Sequence, residues 1–157
     1  MATPMTPVGQ QQLRAELNRL HEERVELSQV IGEAIKQGDL RENADYHAAK
    51  DQQGLVEARI RQIESKLSDA QIIDVKRLPN QGRVIFGSTV TLLDCDNNED
   101  VMYQLVGDDE ADLSLNKIAI SSPIARALIG QELEHMIELQ TPNGSHSYQI
   151  KKIELLG

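Results

Sequence analysis

The sequence predicts an α+β protein: an N-terminal antiparallel two-helix coiled coil followed by a small antiparallel-sheet domain with one helix. Three observations carry that reading. Apolar residues recur in steps of three and four along two segments of roughly 30 residues each. The two segments are joined by only a few residues around Gly38. Beyond Pro79-Asn80-Gln81-Gly82 the apolar period shortens to two.

The first helix opens at Thr6-Pro7, an N-cap residue followed by proline at the first helical position. Its seam runs Leu13, Leu17, Leu20, Leu27, Ile31, Ala34 and Ile35, with Arg24 interrupting one seam position. The residues between are Glu, Arg, Gln and Asn, which leaves a stripe too narrow for the face of a globular helix. Gly38 ends this helix, because glycine readily takes the left-handed conformation at a C-terminus. A second helix starts within 39–43, with a seam of Tyr46, Ala49, Gln53, Val56, Ile60, Ile63, Leu67 and Ala70. Two apolar seams and a short connection require antiparallel packing. Each helix is then about 45 Å long at ~1.5 Å per residue.

The domain boundary is placed at 79, giving a coiled-coil hairpin at 1–78, its acidic tip at 38–46, and a globular domain at 79–157. In the second domain, 83–93 reads as a strand with Gly87 a bulge or bend. Asp96-Asn97-Asn98 is a turn and 101–106 the partner strand. An acidic loop follows at 107–112, and 117–120 is a short strand. Ser122-Pro123 caps a short helix that runs to Ile129 and stops at Gly130. Strands at 133–139 and 147–155 are joined by Thr141-Pro142-Asn143-Gly144.

Charge is divided unequally. Residues 1–79 hold 13 acidic and 11 basic residues, a net of −2, whereas 80–157 hold 12 acidic and 5 basic, a net of −7. The second half is therefore a poor nucleic-acid binder, since phosphates need neutralising cations, and any such contact belongs near the hairpin. The chain has no apolar run of membrane-spanning length, and its N-terminus lacks a basic segment followed by an apolar core. The single Cys95 allows no internal disulfide and is flanked by Asp94 and Asp96, which disfavour a thiolate. A cytoplasmic protein is expected.

The turn places two carboxylates, Asp39 and Glu42, three residues apart. Two readings of them stand side by side. Acids at a helix N-terminus serve as caps and as partners of the helix dipole. They are equally hard oxygen ligands suited to Mg²⁺, although two carboxylates leave most of an octahedron unfilled. At the end of a hairpin nothing walls off water or holds a substrate, so chemistry there requires a partner that supplies the rest. Lys36, Arg41 and Lys50 surround the tip, interleaved with Asp45 and Asp51, and read either as a solvated mixed-charge surface or as a small cationic patch. His21, His47, His135 and His146 lack metal-pair spacing and read as ordinary surface or half-buried residues. No self-contained catalytic motif is present.

Four segments in order, Gly38-Asp-Leu-Arg-Glu-Asn-Ala-Asp-Tyr-His-Ala-Ala49, Gly82-Arg-Val-Ile-Phe-Gly87, Val106-Gly-Asp-Asp-Glu-Ala-Asp112 and Ser122-Pro-Ile-Ala-Arg-Ala-Leu-Ile-Gly130, resemble the bacterial Gre transcript-cleavage factors, and within them the GreA type. The resemblance spans nearly the whole chain. It implies a globular domain of FK506-binding-protein-like fold. It implies bacterial RNA polymerase as partner, the globular domain docking at the rim of the secondary channel through Ser122 and Pro123, and the hairpin reaching the active centre. There Asp39 and Glu42 match the family's tip acids, which complete a loosely held Mg²⁺ site of the polymerase and help orient water. Leu40, Asn43 and Tyr46 match the motif residues that support the tip. Lys36, Arg41 and Lys50 match approximately the patch that contacts the nascent RNA 3′ end. The implied outcome is cleavage of backtracked RNA with release of short 3′ fragments, by a monomer that is not itself an enzyme.

One departure is plain: many relatives carry a proline inside the first helix, whereas this chain reads Glu23-Arg-Val-Glu-Leu-Ser28. Competing readings are a homologue that occupies the channel and inhibits without promoting cleavage, a prolyl isomerase, and a purely structural coiled coil. The isomerase reading is weakened because the domain offers only Phe86, Tyr103 and Tyr148 for an enclosed apolar pocket.

Overall fold

The structure is a computed structural model and describes residues 2–38, 41 and 43–157. The chain divides into two compact units, one of residues 10–70 and one of residues 1–9 together with 71–157. The linker expected at Pro79 thus lies inside the second unit. The reason is that a three-residue strand before the first helix, β1 (Thr3–Met5), pairs with one that follows the second helix, β2 (Ala70–Ile72). The Ile73 N–H donates to the Met5 carbonyl at 2.9 Å, and Met5 is fully buried. Neither strand has enough alternating residues to be visible as a periodic pattern.

The helical unit consists of α1 (Pro7–Gln37), whose first turn belongs to the other unit, and α2 (Ala44–Asp69). Helix α1 runs unbroken through 23–28. The seam expected from the sequence is the buried stripe: Leu13, Ile31 and Ala34 on α1 and Ala49, Val56, Ile60 and Ile63 on α2 are buried. Tyr46, Gln53, Leu67 and Ala70 are half-buried, so every expected α2 seam position faces inward. Ile35 is the exception on α1 and is exposed, because it lies one residue past Ala34 and so off the stripe.

Polar rungs set the register across the pair. The Arg59 guanidinium grips Glu16 with two of its three nitrogens, Nε to Oε2 at 2.8 Å and Nη2 to Oε1 at 2.9 Å. Seven residues further along α1, and seven back along α2, Gln52 donates to Glu23 at 2.9 Å. That heptad step in opposite directions is the signature of an antiparallel coiled pair. Arg24, the charge at a seam position, bonds His21 Nδ1 at 2.9 Å and pairs with Glu57 at 3.6 Å, so its charge is neutralised at the seam's edge.

The second unit is built on a five-stranded sheet in the order β5-β4-β3-β7-β6. Its strands are β3 (Thr89–Asp94), β4 (Glu99–Val106), β5 (Lys117–Ala119), β6 (Met136–Thr141) and β7 (Gly144–Glu154). The expected wholly antiparallel sheet is corrected here: β4 and β5 are parallel. Between them the chain makes two short 3₁₀ turns, Asp108–Glu110 and Leu113–Leu115, which carry it back to Gln104, so that β5 runs alongside the last three residues of β4. The strand expected over 83–93 is also shorter. Gly87 takes φ +83 and a Cβ there would strike the buried Val75, so the chain turns and the strand begins at Thr89. Similarly Glu134, at φ +68, delays the start of β6 to Met136.

Helix α3 (Pro123–Leu128) buries Ala125 and Leu128 against the sheet. They join Val84, Val90, Leu92, Leu105, Ile118, Ile137, Ile150 and Ile153 in one core. Ile150 and Ile153 are three apart yet both buried, because the β3–β7 register slips between Thr91 and Leu92 and leaves Lys151 as an extra residue. No helix among the described residues is long and apolar enough to cross a membrane.

The Glu16–Arg59 pair has a pH signature. The Arg59 hydrogen bond holds the Glu16 carboxyl below the usual range against a smaller opposing desolvation. A depressed folded-state value contributes stability above the unfolded value and loses it as pH falls through the folded one. Glu16→Gln should therefore lower Tm at neutral pH, and the difference from wild type should vanish as pH drops below the normal glutamate range. Thermal melts from pH 7 to pH 3 check this; a pH-independent difference would assign the effect to packing.

Candidate functional site at the helical turn

Gly38 takes φ +103 and its N–H donates to the Ile35 carbonyl at 3.3 Å, which closes the last turn of α1. Asn43 is the N-cap of α2, with extended backbone and Oδ1 accepting from the Tyr46 N–H at 3.0 Å. Its carbonyl accepts from the His47 N–H at 3.2 Å. Among the described residues the side-chain cap of α2 is therefore Asn43.

Asp39, Glu42 and Leu40 lie outside the described residues. Of the tip-supporting residues the structure describes two: Asn43 as the cap, and Tyr46 half-buried in the first turn of α2. His47, which the sequence gives as an ordinary surface residue, contributes here. Its Nε2 donates to the Arg41 carbonyl at 3.1 Å, and its ring meets Tyr46 edge-on at 5.4 Å between centroids. The signal for it was faint: an imidazole one residue beyond the seam tyrosine, within reach of the turn backbone.

The three tip cations are all exposed. Lys36 stands in the last turn of α1 and faces Glu33 at 3.8 Å. Lys50 donates to Gln53 at 3.4 Å, one turn further along α2. Arg41 lies between the helices and offers its carbonyl to His47. Exposed pairs of this kind stabilise little, so the cations are held loosely enough to meet an external anion. An open groove of about 700 Å³ borders the tip, lined by Glu26, Gln29, Val30, Glu33, Ala34, Gln37, Asn43 and Asp45. Its carboxylates make it unsuited to phosphates. Among the described residues no group of three or more His, Cys, Asp or Glu is gathered to hold a metal.

In the other unit, Ser122 Oγ accepts from the Ala125 N–H at 3.2 Å and Pro123 follows at the exposed first position of α3. The preceding Ser121 donates its hydroxyl to Asp108 at 2.8 Å, fastening the cap to the acidic loop.

Comparison with known proteins decides the family. Residues 3–72 match the model of the transcription elongation factor N-terminal domain, and residues 78–155 match the GreA/GreB C-terminal domain. The chain belongs to the GreA/GreB transcription elongation factor family. It is 53% identical over 153 residues to the transcription elongation factor GreA of Vibrio parahaemolyticus, covering 98% of both chains. It is 53% identical over 152 residues to that of Francisella philomiragia, covering 96% of this chain and 95% of the relative. Among solved structures it is similar to the GreA factor homolog 1 (Gfh1) protein of Thermus thermophilus, with 29% identity, TM-score 0.45 and coverage of 98% and 99%.

Because Asn43 provides a side-chain cap of α2, Asn43→Ala should cost about 1 kcal/mol of stability, whereas Asn43→Asp should cost far less. Urea unfolding followed by circular dichroism measures both. Equal losses in the two variants would remove the capping role.

Proposed function

We propose that this protein binds bacterial RNA polymerase, passes its helical hairpin into the secondary channel, and stimulates endonucleolytic cleavage of backtracked nascent RNA. The observation that carries the reading is the family match over both units, together with GreA-named relatives about 50% identical over nearly the full chain. The geometry supports it in two ways. The start of α2 has a side-chain cap of its own in Asn43. The cations at the tip are exposed.

The chemistry follows from the donor set. Hydrolysis of a phosphodiester by two metals needs one ion to activate water and one to stabilise the leaving oxygen. Carboxylates are the hard ligands that Mg²⁺ prefers, but two of them cannot fill its six positions. Asp39 and Glu42 would therefore hold the ion jointly with ligands of the polymerase, and the protein is an accessory to the polymerase's reaction rather than an enzyme. Lys36, Arg41 and Lys50 hold the proximal RNA phosphates, and Ser122 with Pro123 contacts the channel rim. The protein acts as a monomer in the cytoplasm.

Asp39→Ala and Glu42→Ala should each reduce stimulated cleavage at least tenfold, the order lost with a ligand or water-orienting group, while competition with wild type for polymerase persists. Assays on a stalled, backtracked complex with 3′-labelled RNA, run across a Mg²⁺ series, measure this. Near-wild-type cleavage by both variants at limiting Mg²⁺ would refute the ligand role.

The same gel reports fragment length. Affinity for phosphates grows with the number neutralised, and the three cations are diluted by Asp45 and Asp51. Short fragments from slightly backtracked complexes are expected; one-step release of long fragments would contradict the short cationic patch.

Docking is tested at the α3 cap. Since Ser122 Oγ caps the helix, Ser122→Asp keeps an acceptor there and adds charge. It should weaken competition for polymerase without loss of folding. Undiminished competition by the folded variant would place the docking surface elsewhere.

A further inference from the structure

We propose that a recess on the sheet, where the β3–β4 turn meets β7, seats an arginine side chain of the polymerase between the carboxylates of Asp94 and Glu99 and against the rings of Tyr103 and Tyr148. This rests on the polymerase-binding role above. All four residues belong to the unit of residues 1–9 and 71–157. The strand register aligns them in rows across β4, β3 and β7. Glu99, Asp94 and Tyr148 form the outermost row. Next inward come Val101, Leu92 and Ile150, and then Tyr103, Val90 and Ile153. Leu92, Ile150, Val90 and Ile153 are buried, so these rows lie on the core side of the sheet, the side on which α3 packs.

Helix α3 does not cover the outer end of this face. Val101, Tyr103 and Tyr148 stay half-buried there, packed against the same core as Ile124 and Ala127 of α3. A recess of about 300 Å³ opens at that end, bordered by Asp94, Glu99, Asp100, Val101, Tyr103 and Tyr148. That volume is at the bottom of the range for small-molecule pockets, ~300–1,000 Å³, and suits one side chain better than a cofactor. The helix that carries Ser122 and Pro123 at its start packs on the same core, so the recess continues the docking surface proposed above.

Charge selects the occupant. Asp94 and Glu99 stand directly opposite one another, and like charges so placed destabilise a sheet. Among the described residues no cationic side chain pairs with either, since the nearby His146 pairs with Asp96 at 2.7 Å. Asp94 Oδ1 accepts from the Asp96 N–H at 2.9 Å, and the Glu99 carboxylate has no donor among the described residues. Burial, and after it the charge of Asp94, raises the Tyr148 hydroxyl above its ordinary range, so the ring stays neutral beside the acid. A phosphate would be repelled here, and an apolar side chain would leave the two carboxylates facing each other. A guanidinium meets both demands: its planar fork binds carboxylates and its face stacks on a tyrosine ring. An ammonium, a point charge, meets only the first.

The test uses the full chain and bacterial RNA polymerase core enzyme. The double variant Asp94→Asn with Glu99→Gln keeps an acceptor for the Asp96 N–H and removes both charges. It should compete with labelled wild type for polymerase about tenfold less well or worse, the scale of losing one side of a desolvated charge pair. Glu99→Asp, which keeps the charge, should stay within about twofold of wild type. Glu99→Gln alone should raise Tm, because it relieves the opposed charges; a carboxylate that served only the fold would lower it. A photo-crosslinking residue in place of Asp100 should join a polymerase peptide that holds an arginine. Changing that arginine to alanine should weaken wild type by the same factor and weaken the double variant no further, since the two changes remove one interaction. Undiminished competition by the folded double variant would overturn the proposal, as would a lowered Tm in Glu99→Gln or additive losses in the cycle. So would a cross-link to a peptide without arginine, to a second copy of the chain, or to neither. Failure of the wild type to bind polymerase would refute the polymerase reading itself, whereas wild-type binding with an undiminished double variant refutes the recess alone.

Discussion

The structure depends on one narrow seam. Two helices of 31 and 26 residues meet along a stripe only one or two side chains wide per turn, and α2 contributes just Ala49, Val56, Ile60 and Ile63 as fully buried members. A seam this thin leaves most of each helix in water, so the polar faces must be soluble and the register must be pinned by something other than bulk burial. The Glu16–Arg59 and Glu23–Gln52 rungs, one heptad apart in opposite directions, do that. A hairpin of this kind has no enclosed interior, and its far end can carry chemistry only as part of another molecule's site.

The globular unit solves a different problem. Its ten-residue core closes a small mixed sheet against a single two-turn helix. The bulge at Lys151 is essential to that closure, since it turns Ile150 and Ile153 to the same side. The same unit also claims both ends of the hairpin. Strands β1 and β2, Val75 under Gly87 and the Thr6–Glu110 network join residues 1–9 and the segment after α2 to the sheet. Within this unit Glu110 is the acceptor that ties Thr6 to the loop after β4.

At the tip, the described residues serve the helix start and the turn backbone. Asn43 serves the helix start and His47 holds the Arg41 carbonyl. Asp39 and Glu42 lie outside the described residues, and the two readings of their spacing both stand. The cations Lys36, Arg41 and Lys50 remain at the surface, with only weak neighbours to displace.

What the sequence determined by itself was everything that rests on local periodicity and local backbone chemistry. The two helices, their seam residues, the Thr6-Pro7 and Ser122-Pro123 caps and the Gly38 and Gly130 stops were all legible, because each depends on residues within one or two turns. The tip motif and its family were legible in the same way. The tertiary structure alone decided the parallel β5, the late start of β3, the β1–β2 pair and the reach of Glu110 to Thr6. Each of these joins segments distant in sequence, and a pattern of apolar and polar residues records which face a residue turns inward, but not which partner it meets there.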